Sequence, residues 1–202
     1  DVPNLGTNVP ILGTTALDTV KTPSGKRREM LGGSAVHFSM SASHFTRVHL
    51  VAIVGEDFPR KHIDFLRSKG ISLASLSVGK GRTFRWSGEY RGDLNAALTL
   101  STELGVLSAF SPCVADDQRC IKNIFLANVD PDIQRRLLET MRRPRLVGLD
   151  SMNYWIDHKR TSLVRLLKKV DIFVANDAEA RSLSNETHLI KAAKALRRMG
   201  AP

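Results

Sequence analysis

A chain of 202 residues is long enough to bury a sizeable core as one domain, alone or with a small insertion. Its 42% hydrophobic and 25% charged residues are ordinary for a soluble globular protein, and no apolar run nears the roughly 18 residues that a bilayer span needs. The formal net charge of +10 raises the question of a polyanionic partner, but the excess sits in scattered short clusters such as Lys26-Arg27-Arg28 and Arg142-Arg143. With only 6% aromatic residues and no basic run interleaved with them, this pattern argues against a nucleic-acid surface.

Apolar runs mark the strands in chain order. Val9 to Leu12 ends at Gly13 and His49 to Val54 ends at Gly55, while Ile124 to Ala127, Leu146 to Leu149 and Asp171 to Ala175 repeat the pattern. Runs without polar alternation suit strands covered on both faces of a parallel sheet. Helices fall between them. Ser34 is read as the cap of a helix over 35–45 whose first-turn amides stay free for a ligand. Pro59 leads into a helix carrying Ile63 and Leu66, closed by Gly70. Asp130 caps a helix with Pro131 at its first position and Ile133, Leu137 and Met141 as its buried stripe. Thr161 to Val170 forms another, and the last turns Leu189, Ala193 and Leu196 inward and stops near Gly200. The prediction is a three-layer, open, mainly parallel α/β sheet. Segments 18–30, with a turn at Pro23-Ser24-Gly25, and 83–100, with a turn around Arg91-Gly92-Asp93, alternate instead like exposed antiparallel strands of a small lid or interface sheet.

The chain ends in Gly200-Ala201-Pro202, after a helix and where another strand is due, and begins Asp1-Val2-Pro3-Asn4, without an initiator Met or a signal peptide. Both features read as an N-terminal piece of a longer protein whose natural start lies elsewhere. Cys113 and Cys120 are too few for a disulfide scaffold or a four-ligand zinc site, which makes a reducing cytoplasm the expected location.

Candidate chemistry collects at the strand ends, where open α/β sheets bind ligands. The Gly32-Gly33 pair permits close backbone approach. Asp18, after the first strand, is either a carboxylate accepting from two substrate hydroxyls or a turn residue. Asn176 and Glu179, three apart at a helix start, are either a capping box or holders of a hydrated magnesium ion near a phosphate. The six histidines lack metal-ligand spacing. No Gly-x-Ser-x-Gly elbow, P-loop or Gly-x-Gly-x-x-Gly turn occurs.

Gly13-Thr14-Thr15-Ala16-Leu17-Asp18, Gly32-Gly33-Ser34-Ala35, Val51-Ala52-Ile53-Val54-Gly55-Glu56-Asp57-Phe58 and Asn176-Asp177-Ala178-Glu179, in this order, resemble the PfkB, or ribokinase-like, family of carbohydrate and nucleoside kinases over essentially the whole chain. The resemblance implies one ribokinase-like α/β domain over residues 1–202, lacking its C-terminal part. Segments 18–30 and 83–100 would be its β-lid. It implies ATP and Mg2+ as cofactors, a sugar or nucleoside as acceptor, and a homodimer paired through the lid. Asp18, Gly32, Gly33 and His37 would bind the acceptor, His37 standing where the family carries an asparagine. Asn176 and Glu179 would organise magnesium and phosphates, with Asp150 and Asn153 near the phosphate path. The family's Gly-Ala-Gly-Asp motif, with its aspartate base, occurs nowhere in the 202 residues. The chain is therefore expected to hold the acceptor half and to transfer no phosphate by itself. The alternatives are a non-catalytic binding or assembly module and a polyanion-binding domain; the latter would bind with a steep salt dependence.

Overall fold

Two apolar faces run along each central strand, and they decide the layering. A computed structural model describes residues 7–91 and 97–200. The chain's first six residues, Gly92 and Asp93 of the expected turn, and the final Ala201-Pro202 lie outside the described residues. Six strands, β1 (Asn8–Leu12), β4 (Arg47–Gly55), β5 (Leu76–Gly79), β8 (Asn123–Leu126), β9 (Leu146–Asp150) and β10 (Ile172–Val174), form one sheet in the order β10-β9-β8-β1-β4-β5. Every pairing in it is parallel. Successive residues point to opposite faces. Ile11, Leu50 and Ala52 pack with Ala35, Val36 and Leu66, on the side of α1 (Ser34–Ala42) and α2 (Arg60–Ser68). Leu12 and Val51 pack on the other side, with α3 (Pro131–Thr140), α4 (Asn153–His158), α5 (Arg160–Leu167), α6 (Asp177–Ser184) and α7 (Leu189–Met199). The result is the three-layer parallel α/β architecture.

Most of the punctuation acts as read. Gly70 adopts φ 71 just past α2, and the Asp130 carboxylate accepts from the Asp132 amide with Pro131 at the first helical position. Three details differ. Gly33, not Ser34, precedes the first helix, which stops at Ala42. Short β5 and six-residue α4 add elements that no long apolar run announced. In α7 the buried residues are Ala192, Ala195 and Leu196, while Leu189 is 44% exposed and Ala193 is exposed. Small alanines let α7 lie close against α6, and this rotates the helix away from the face that its larger residues suggested.

The polar-alternating segments build a second sheet, ordered β3-β2-β6-β7 from β2 (Ala16–Thr22), β3 (Gly25–Gly32), β6 (Arg85–Tyr90) and β7 (Ala97–Glu103). Its two hairpin-like pairs are antiparallel, but β2 and β6 run parallel, Leu17 facing Arg85. No described helix is long and apolar enough to cross a membrane.

Candidate active site

Strand order reverses at β1, whose neighbours β4 and β8 lead away in opposite directions. In open α/β sheets the crevice at such a switch point is where ligands bind. Thr14 follows β1 and Asn128 follows β8, and the start of α1 joins the two loops. The Ser34 hydroxyl donates to the Asn128 carbonyl (2.8 Å) and lies 3.1 Å from the Thr14 hydroxyl. The Ser34 amide donates to Thr14 Oγ1 (2.9 Å) and the Ala35 amide to the Thr14 carbonyl (3.1 Å). The expectation that the first amides of this helix stay free is thereby corrected. Partly buried amides need partners, and the Thr14 loop supplies them. Recognition at this end of the crevice falls to side chains.

Asp18 sits on β2, where that strand leaves the switch point. Burial pushes its carboxyl up from 3.8 to about 6, while His37 and the Gly33 amide, which donates to it, pull it part of the way back. Its neighbours explain the glycine pair. Gly33 has φ 97, and a Cβ there would lie 2.3 Å from the Thr14 carbonyl oxygen. A Cβ on Gly32 would lie 1.9 Å from Asp18 Oδ2. Gly32 is therefore the residue that leaves room for the carboxylate. Gly32→Ala is expected to displace Asp18, lowering acceptor affinity at least ~10-fold in a calorimetric titration and costing about 1–3 kcal/mol of stability. An unchanged affinity would show that the carboxylate position is not what the glycine protects.

At the far side of the crevice, Asn176 Oδ1 accepts from the Glu179 amide and Glu179 Oε2 accepts from the Asn176 amide, both at 2.9 Å. This is a complete capping box, and it engages one of the two carboxylate oxygens of Glu179. Burial raises the Glu179 carboxyl; Asp150, at the end of β9, is raised to about 6 by burial first and by the charge of Glu179 second. Among the described residues no group of three or more His, Cys, Asp or Glu side chains could hold a metal ion directly.

A cleft of about 570 Å³ runs between them. Asp18, Gly33, His37, Asn153 and Glu179 line it; Gly32, Asp150 and Asn176 do not. Sequence reasoning missed most of its walls. Phe84 and Trp86 come from the beginning of β6, Thr99 and Thr102 from β7, and Tyr154, Trp155 and His158 from α4. Residues three apart on a strand normally face opposite ways. Here a bulge, with Gly88 paired to Thr99 and Ser87 to Ser101, inserts Leu100 as the extra residue and brings both threonines to the cleft. Asn128, directly after an apolar run, carried the same positional signal as Asp18.

No family model matches the sequence. The cytidine kinase of Thermococcus kodakarensis is 25% identical over 195 residues, 95% of this chain and 69% of that protein. The Methanocaldococcus jannaschii nucleoside kinase, an archaeal member of the ribokinase family, superimposes with a TM-score of 0.72 at 16% identity, covering 93% of this chain and 67% of that one. Arabidopsis thaliana ribokinase, solved with ribose and ATP, gives 0.72 at 17% identity over 96% of this chain and 69% of its own. The chain therefore has the fold of ribokinase-family kinases and is similar in sequence to a cytidine kinase.

Proposed function

We propose that this chain forms the acceptor-binding part of an ATP-dependent kinase that phosphorylates a hydroxyl of a sugar or nucleoside. The observation that carries the reading is the desolvated Asp18 carboxylate, held over Gly32 at the switch-point cleft. A carboxylate there accepts hydrogen bonds from two vicinal hydroxyls and orients the acceptor, and burial makes each such bond stronger than in water. The second sheet, entered through β2 and β6, is the lid that closes over the acceptor and excludes water. Its exposed Leu98 and Leu100, on the edge strand β7, are the surface through which a second copy would pair.

The donor set fits a hydrated cation. Glu179 keeps one oxygen outside the capping box, and its charge is close enough to that of Asp150 to raise it, a repulsion that a cation relieves. Glu179, with Asp150 behind it, would hold Mg2+ through water, and the ion would screen the charge of the phosphoryl groups. The protein's own contribution is orientation: Asp18 fixes the acceptor, and the walls keep water out. A base for the acceptor hydroxyl is the task of the family's Gly-Ala-Gly-Asp motif, which these 202 residues lack.

Calorimetry of the chain against a sugar and nucleoside panel tests this. Binding of at least one acceptor, with no turnover of ATP by this chain, is expected. If nothing in the panel binds, the reading fails and His37, in the family's asparagine position, favours a non-catalytic module.

A further inference from the structure

Thr14, Asp18 and Asn128 offer the cleft groups that can take hydroxyls, whereas β6 and α4 contribute flat aromatic rings, those of α4 beside the polar Asn153 and Asp157. The chain has only two tryptophans, Trp86 and Trp155, and both line this cleft. In a protein with 6% aromatic residues, that concentration asks for a ligand with an aromatic face.

The rings are also fixed in place. Trp86 Nε1 donates to Thr99 Oγ1 (3.2 Å), and a Cβ at Gly88 would lie 2.1 Å from the far edge of the indole. Gly88 therefore lets the indole lie along β6 while the bulge presents Thr99 to hold it. On α4, Tyr154 stacks on His158 with centroids 4.3 Å apart and planes at 22°, and meets Trp155 edge-on at 4.8 Å. Tyr154 stays 46% exposed, held by two rings that line the cleft with it. Rings pinned in this way lose little entropy when a planar group stacks on them.

We propose that the acceptor is a nucleoside rather than a free sugar, its base lying against the aromatic walls formed by Trp86 and Tyr154 and its ribose hydroxyls reaching Asp18. This rests on the acceptor-site reading above and narrows it. A free sugar can lay a C–H face on one aromatic ring but has no second, flat group for the others. A nucleoside has a hydroxylated end and a flat π end, and so can engage the hydroxyl-binding groups and the ring walls together. Base–aromatic stacking is sequence-tolerant and contributes at sites of many kinds, so it selects the class, and the edges of the base remain to be read by Asn153 and Asp157.

The test is titration of the 202-residue protein with cytidine, adenosine, inosine, ribose and fructose, by calorimetry and by intrinsic tryptophan fluorescence. A nucleoside is expected to bind at least ~10-fold more tightly than ribose and to quench the emission. Trp86→Ala should lower nucleoside affinity roughly 5- to 150-fold, the fold-change that about 1–3 kcal/mol of stacking represents, and so narrow the nucleoside-to-ribose ratio. Trp86→Phe should recover much of that loss, and Tyr154→Ala, on a separate element, should lower the same ratio. These two variants decide the matter if Trp86→Ala folds poorly. Free sugars binding as tightly as any nucleoside would overturn the nucleoside assignment and leave the acceptor site standing. Loss of sugar and nucleoside affinity in equal measure would overturn the stacking. Absence of binding by the whole panel would overturn both this inference and the acceptor-site reading.

Discussion

Asp18→Asn is expected to abolish acceptor binding while making the folded protein more stable at pH 7. The carboxylate is partly buried, accepts from the Gly33 amide and has its pKa raised to about 6. A raised carboxyl means that the folded state holds its proton more tightly than the unfolded chain does. Keeping the group ionised at pH 7 therefore works against folding. A rise from 3.8 to about 6 corresponds to about 3 kcal/mol at full strength, and partial exposure reduces the expected gain on neutralisation to about 1–2 kcal/mol. That is a Tm increase of about 2–8 °C for a chain of this size. Asparagine keeps an acceptor for the Gly33 amide but loses the charge that makes vicinal hydroxyls bind. A Tm that falls, or an affinity that survives, would remove Asp18 from the site.

The pH dependence has the matching sign. Between about 6 and 4 the folded protein takes up protons on Asp18 and Asp150 that the unfolded chain does not yet bind. These two groups therefore add stability as pH falls through that window. Acceptor affinity should move the other way and weaken below about pH 6, as the Asp18 carboxylate protonates. A thermal-melt series and a binding series over pH 4.5–8 (~3.5 units, spanning both pKa values) separate the two trends; in Asp18→Asn the part of the stability slope due to residue 18 should vanish. Opposed trends of this kind are the expected signature of a group placed for function at the expense of stability.

The main sheet was legible because parallel strands buried on both faces have no choice but to be apolar. Val9 to Leu12 and Leu146 to Leu149 read directly as β1 and β9. The edge strand β5 did not, since Leu76 to Gly79 is short and Val78 is 67% exposed. The second sheet showed its alternation, yet nothing local to Ala16–Thr22 announces that it pairs in parallel with Arg85–Tyr90. The same distance effect hid most of the cleft. Asp18 and Glu179 stood out because each follows a strand, but Trp86 gains its meaning from Gly88 and Thr99 across a bulge. Tyr154 gains its own from the ring of His158, one helical turn away in a helix too short to show a period. At Ser34 the expected cap placed the right residue at the right junction in the wrong role, because its hydroxyl bridges two loops instead of closing its own helix.

Asp57→Ala should loosen the second sheet, and it should weaken acceptor binding without touching the cleft. Asp57 follows β4, and one of its oxygens accepts from both the amide and the hydroxyl of Thr83, each at 2.7 Å. Its other oxygen pairs with Arg85 at 2.8 Å, and Arg85 also reaches Glu29 on β3 at 3.4 Å. The Thr83 hydroxyl in turn accepts from the Gly55 amide at 3.0 Å, which ties the end of β4 to the start of β6. Burial by itself would raise the Asp57 carboxyl, but the Thr83 donors and the Arg85 guanidinium outweigh it and hold it below its ordinary value. Its contribution is therefore present above pH 4 and is lost only as pH falls through that lowered value, so the junction survives in the range where Asp18 takes up its proton. Alanine leaves the donors of a fully buried Thr83 without their acceptor and Arg85 without its nearest charge, at a cost of about 1–3 kcal/mol. Asp57→Asn keeps the acceptor and should cost less. The loss should be local first: in hydrogen exchange, β2, β3, β6 and β7 should open before β1, β4 and β8. Because Phe84 and Trp86 flank Arg85, releasing the start of β6 shifts both aromatic walls, and acceptor affinity falls although Asp57 contacts no acceptor. Uniform exchange across both sheets, or an affinity unchanged in a folded Asp57→Ala protein, would show that the second sheet is held by its strand pairing and not by this junction.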